Sequence, residues 1–121
     1  MNTLQRHGLR PPPRRESSPS VRKALARLDG DPASPIGLTE LAKLAGVSRF
    51  QLLRGFAREV GATPHTYLVQ RRIQLARRLL VAGRPIAEAA IDAGFADQSH
   101  LTRAFVRQFS ITPGRYVAAV A

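Results

Sequence analysis

The chain has 121 residues, enough for one domain with a real core, and 44% of them are hydrophobic, as in a globular protein. It has no cysteine, which excludes disulfides, thiolate metal sites and cysteine nucleophiles. Arginines interrupt every apolar run before the ~18 residues a bilayer span needs, and residues 1–18 lack the apolar centre of a signal peptide.

Nineteen basic and eight acidic residues leave a formal charge of +11. Seventeen of the basic residues are Arg; the two lysines are Lys23 and Lys43. Residues 1–18 carry four Arg against Glu16, or +3, and the other 103 residues carry 15 basic and 7 acidic side chains, or +8. The charge therefore belongs to the folded part as well as to the tail. A basic helical module points to a polyanionic partner; the alternative is an Arg-rich solvated face.

In chain order, "MNTLQRHGLRPPPRRESS" combines three prolines and four arginines with little to bury, and reads as a disordered basic arm or linker over 1–18. Ser18 or Ser20 can cap a first helix with Val21, Leu25 and Leu28 on one face, ended by Asp29-Gly30-Asp31-Pro32. Thr39 can cap the short helix "ELAKLA", which stops at Gly46. Ser48 and Gln51 form a capping box at the start of the next, which Gly61 ends. Thr63 caps a long helix over about 64–82 with Pro64 at its first position and Tyr67, Leu68, Leu75, Ala76, Leu79 and Leu80 as core. Gly83 stops it. Pro85 opens a short helix that stops at Gly94, Asp97 caps another to about Phe109, and Thr112-Pro113 starts the last. No alternating pattern competes, so the fold is all-α with about seven helices.

The pattern repeats. Ala42, Ala45 and Gly46 recur 48 residues later as Ala90, Ala93 and Gly94. After a one-residue insertion, Leu52, Arg54, Phe56, Arg58, Thr63, Pro64 and Tyr67 recur as Leu101, Arg103, Phe105, Arg107, Thr112, Pro113 and Tyr116. Each copy is a short helix, a turn through glycine and a longer capped helix. This is the helix-turn-helix arrangement, whose second helix lies in the DNA major groove. The units fall at about 38–61 and 85–110, within a DNA-binding domain at 19–121.

Leu52, Phe56 and Val60 define the buried face of one reading helix, and Leu101, Phe105 and Phe109 that of the other. Phe95 is a core anchor in the second turn. The opposite faces carry Arg49, Phe50, Leu53, Arg54 and Arg58 in the first unit and Gln98, Ser99, His100, Thr102, Arg103 and Arg107 in the second. Arg bonds guanine bidentately and Gln bonds adenine, so Arg54, Arg103 and Gln98 are base-reading candidates. Ser48, Arg49, Arg58, Thr102 and Arg107 suit phosphates. The connecting helix of about 18 residues spans roughly 27 Å, near the ~34 Å between successive major-groove faces. The two faces differ, so the site is expected to be asymmetric and a monomer suffices to bind it.

"PIAEAAIDAGFADQSHLTRAFVRQFSITPGRY" resembles the signature of the AraC/XylS family of bacterial transcription regulators, and "LAKLAGVSRFQLLRGFAREVGATPHTYL" is similar to that family's first unit. The likeness covers about residues 20–118. It implies that Phe50, Leu53, Arg54, Gln98, Ser99, His100 and Arg103 meet bases. Leu53 stands where members often have a polar residue, and Ala89 replaces a usual larger aliphatic. The family implies recruitment of RNA polymerase, usually for activation, and a cytoplasmic, nucleoid-associated place in a bacterium. Many members carry an effector-binding domain before this module. Either the chain is a compact regulator, or its arm is the remnant of a linker in a shortened chain, the reading slightly favoured here; dimerisation belongs to the second case.

An enzyme is the first rival. His7, His65 and His100 are scattered, the carboxylates lie mostly at helix ends, and no catalytic constellation, metal site or cofactor motif emerges. The second rival is a nonspecific nucleic-acid-binding or nucleoid protein using the same basic surface.

Overall fold

The computed structural model describes residues 17–120. Among these, every regular element is a helix: α1 Pro19–Gly30, α2 Leu38–Ala45, α3 Arg49–Val60, α4 Pro64–Val81, α5 Ile86–Asp92, α6 Gln98–Phe109 and α7 Pro113–Val120. Most of the expected arm, residues 1–16, lies outside the described residues. Its last two residues belong to the fold instead. Ser17 is buried, and Ser18 caps α1, its hydroxyl accepting the Val21 N–H at 3.4 Å.

The helices form two compact units. The first holds α1, α2, α3 and the start of α4 as far as Leu68; the second holds Pro32–Pro35 and the chain from Val69 onward. In the first unit the apolar face of α1 (Val21, Leu25, Leu28) closes over Leu41, Ala42 and Ala45 of α2 and Leu52, Phe56 and Val60 of α3. Tyr67 packs edge-on against Phe56 with ring centroids 5.7 Å apart. Its hydroxyl donates to Asp29 Oδ1 at 2.7 Å, satisfying the polar end of a ring that is otherwise buried.

In the second unit Ile73, Ala76 and Leu80 of α4 take the place that α1 has in the first, over Ala89, Ala90, Ala93, Phe95, Leu101 and Phe105. Leu75 and Leu79, expected in the core, pack at its edge, and Ile73, outside the expected core set, is buried. Both stripes of α4 are apolar, so periodicity alone does not choose between them. Phe109, expected on the buried face, is half-buried; it lies 4.7 Å from Phe105 and carries the Arg77 guanidinium 5.7 Å from its ring centroid.

The repeat extends beyond the paired helices. Tyr116 meets Phe105 edge-on at 5.5 Å, as Tyr67 meets Phe56. Thr63 Oγ1 accepts the Thr66 N–H at 3.1 Å and Thr112 Oγ1 accepts the Arg115 N–H at 3.2 Å, so both third helices start on the same cap. One cap differs from expectation. Thr39 lies inside the first turn of α2, which begins at Leu38 after Gly37, whose carbonyl accepts the Leu41 N–H at 3.0 Å. The backbone closes the turn two residues before the threonine hydroxyl could.

Candidate nucleic-acid interface

In the first unit α2 ends on Gly46, in the left-handed region at φ 78°, and the chain turns through Val47 to Ser48. Ser48 Oγ accepts the Gln51 N–H at 3.1 Å while Gln51 Oε1 accepts the Ser48 N–H at 3.0 Å. This reciprocal pair fixes where α3 begins and leaves the Ser48 hydroxyl proton as a donor. With Leu52, Gly55, Phe56 and Val60 turned inward, Arg49, Phe50, Leu53, Arg54 and Arg58 are exposed. Phe50, at 65% exposure, is a large apolar ring in water, and the Arg54 guanidinium lies 5.3 Å from its centroid. The cation–π contact restricts Arg54 before any ligand arrives.

Leu53 is less free than a reading residue would be. At 37% exposure it also lines an apolar cleft of the first unit with Leu38, Leu41, His65 and Leu68. A second cleft is lined by Phe50, Gln51, Arg54 and Arg58 together with Ser18, Ser20 and Glu59. Helical periodicity alone does not put these last three at the basic face. The packing of α1 on α3 brings Ser18 and Ser20 there, beside Glu59 of α3 itself.

In the second unit Asp97 caps α6, its Oδ1 accepting the His100 N–H at 2.8 Å. Leu101, Ala104 and Phe105 face inward, and Gln98, Ser99, Thr102 and Arg103 line one shallow depression at the start of the helix. Thr102 is half-buried; Gln98, Ser99, His100, Arg103 and Arg107 are exposed. Phe95 is buried in the turn, as its sequence context requires, and the His100 ring stands edge-on to it at 5.2 Å. His100 Nδ1 is 3.5 Å from the Ala96 nitrogen, at the long limit of a hydrogen bond. The imidazole therefore leans on the turn through its Nδ1 edge. On α5 the carboxylates of Glu88 and Asp92 both pair with Arg84, at 3.5 and 3.1 Å.

Each unit thus presents arginine at one register, Arg54 and Arg103, two residues before a buried phenylalanine, Phe56 and Phe105. These faces offer N–H and O–H donors, planar guanidiniums and one aromatic ring, the groups that meet phosphates and base edges. Among the described residues no cluster of His, Asp and Glu is placed to hold a metal ion, and no helix is long and apolar enough to cross a membrane.

Residues 41–119 match the model of a helix-turn-helix domain family. A putative AraC-like transcription regulator of Streptomyces antibioticus is 40% identical over 101 residues, covering 83% of this chain and 33% of that protein. The regulatory protein SoxS of Escherichia coli K12 is 34% identical over 97 residues, covering 79% of this chain and 91% of SoxS. The chain spans about a third of the length of several other relatives it matches. Among solved structures, the DNA-binding domain of AdpA, a global transcriptional factor in complex with a target DNA, superposes with a TM-score of 0.79 at 28% identity, covering 84% of this chain and 93% of that one.

Proposed function

The chain belongs to the AraC-type helix-turn-helix family, and from that premise we propose that it is a sequence-specific regulator of transcription that binds double-stranded DNA. The α3 and α6 helices each enter a major groove, in successive turns of one asymmetric site. Arg54 and Arg103 read base edges, bidentately where the base is guanine, and Gln98 reads adenine. Ser99 and Phe50 complete these contacts, Phe50 by meeting a thymine methyl and by holding Arg54. Leu53 and His100 contribute less, since the first lines a cleft and the second leans on its turn. Ser48, Arg49, Arg58, Thr102 and Arg107 take phosphates and set the register.

The observation that carries this reading is the pair of exposed arginines at one register over buried phenylalanines, on two helices that start at side-chain caps. A surface that merely coats DNA needs basic charge but no such repeated register. Activation through contact with RNA polymerase, and work in the bacterial cytoplasm as a monomer, extend the same proposal.

Selection of bound duplexes from random DNA tests it. The expected product is one asymmetric site of ~20 bp, favoured over bulk DNA by roughly 10³ or more. Retention of DNA without enrichment of any sequence would support the nonspecific reading instead.

A further inference from the structure

Phe50 occupies the second position of α3, just inside the Ser48–Gln51 cap, and Arg54 follows about one turn later on the same face. The Phe50 ring is 65% exposed, with the Arg54 guanidinium 5.3 Å from its centroid, and both residues line one cleft with Arg58. In the repeat that pairs Leu52 with Leu101 and Arg54 with Arg103, Phe50 corresponds to Ser99. The arginine is common to both units, and the ring beside it belongs to the first alone.

A phenyl ring has no hydrogen-bonding group. Set against a base edge that presents a donor or an acceptor, it strips that group of water and returns no bond. The apolar group that a base pair presents in the major groove is the C5 methyl of a pyrimidine. An arginine bonded bidentately to guanine lies close to the plane of that base, and the next pair stacks ~3.4 Å away. Phe50 precedes Arg54 by four residues, about 6 Å along α3. With the guanidinium on its guanine, a ring centred 5.3 Å from it meets a flanking pair and not the guanine itself. A cytosine that carries a C5 methyl presents the same apolar group there as thymine does.

We propose that Phe50 and Arg54 read a two-pair step as one unit, a guanine flanked by a pair with a C5-methylated pyrimidine, and that α3 accepts 5-methylcytosine at that pair as it accepts thymine. This rests on the reading of α3 as a groove-inserting helix. Where the flanking pyrimidine is cytosine, its methylation turns a weaker site into a stronger one, so binding responds to the methylation state of the DNA. Burial of one methyl group against the ring is worth about fourfold in affinity. Arg103 has Ser99 where Arg54 has the ring, and lacks this partner.

The test uses the full chain and the duplex recovered by selection, with affinity measured by fluorescence anisotropy. Arg54→Ala first locates the guanine that α3 meets, as the pair at which discrimination is lost. The thymine of the flanking pair is then replaced by uracil, cytosine or 5-methylcytosine in otherwise identical duplexes. Thymine over uracil, and 5-methylcytosine over cytosine, are each expected to bind about three- to fivefold tighter. In Phe50→Ala both ratios are expected to fall to roughly one, which isolates the contact between ring and methyl. Phe50 is exposed, and an unchanged thermal midpoint of the variant confirms that its fold is intact. Ratios near one in the wild-type chain would overturn the proposal. So would ratios that survive Phe50→Ala, or a selected site with no thymine in either pair flanking that guanine. Failure to select any sequence would instead remove the reading of α3 as a groove-inserting helix, and the proposal with it.

Discussion

The two helix-turn-helix units share an Ala-Gly pair at the turn, Ala45-Gly46 and Ala93-Gly94, yet the two glycines answer to different forces. Gly46 has φ 78° and open space where a Cβ would stand, so only its backbone conformation demands glycine. Gly94 has φ 99°, and a Cβ there would come within 2.8 Å of the Ala33 carbonyl oxygen and of Arg72 Nε. Arg72 Nε itself donates to the Pro32 carbonyl at 2.7 Å, which seats Pro32–Pro35 over the second turn. One repeated glycine is thus a conformational requirement, and its copy is a conformational and a packing requirement together. Sequence identity within a repeat does not mean identity of constraint.

The exposed faces of α3 and α6 differ in the same spirit. The α3 face is aromatic, aliphatic and basic, with Phe50 and Arg54 already in contact. The α6 face is polar, with Gln98, Ser99 and Arg103 around one depression. The first suits thymine methyls and guanine, and the second suits a mixed pattern of donors and acceptors.

Substitutions at the turns break the comparison most sharply. Gly94→Ala adds a clash with backbone to the strain of a positive φ, and is expected to cost about 3 kcal/mol or more. Gly46→Ala meets only the strain, and should cost about 1 kcal/mol. Urea unfolding of the two variants side by side checks this; equal losses would mean that Arg72 and Ala33 do not press on the second turn. A smaller effect lies at the ends of α3 and α6. Gly61 closes α3 at φ 89°, while its counterpart Ser110 closes α6 at φ 64°. Ser110→Gly makes the second end like the first and should raise stability by about 0.5–1 kcal/mol, read as a higher thermal midpoint. A lower midpoint would assign the Ser110 side chain a contact that the helix end does not show.

Local chemistry was legible in the sequence. Ser18, Ser48, Thr63, Asp97 and Thr112 each hydrogen-bond the backbone N–H three residues on, because capping depends on neighbours a few positions away. The exposed faces of α3 and α6 followed from helical periodicity for the same reason. What was hidden depends on distant partners. Arg72 looks like its neighbour Arg71 in sequence, and only the fold sets it against Pro32 and Ser34. Glu59 has no local mark of its bond to Ser18, 41 residues away. Leu53 reads as an exposed position until α2 and the start of α4 make a cleft beside it. Thr39 carried a cap signal that the backbone did not need, since Gly37 was already in place.

The proposal that two unlike helices read one asymmetric site is tested most directly by Arg54→Ala and Arg103→Ala, each measured against the selected duplex, against duplexes mutated in either half, and against bulk DNA. Each variant is predicted to lose about 1–3 kcal/mol of preference, confined to its own half of the site, with bulk affinity preserved. A loss that is equal on bulk DNA, or that falls on the same half for both variants, would contradict the account.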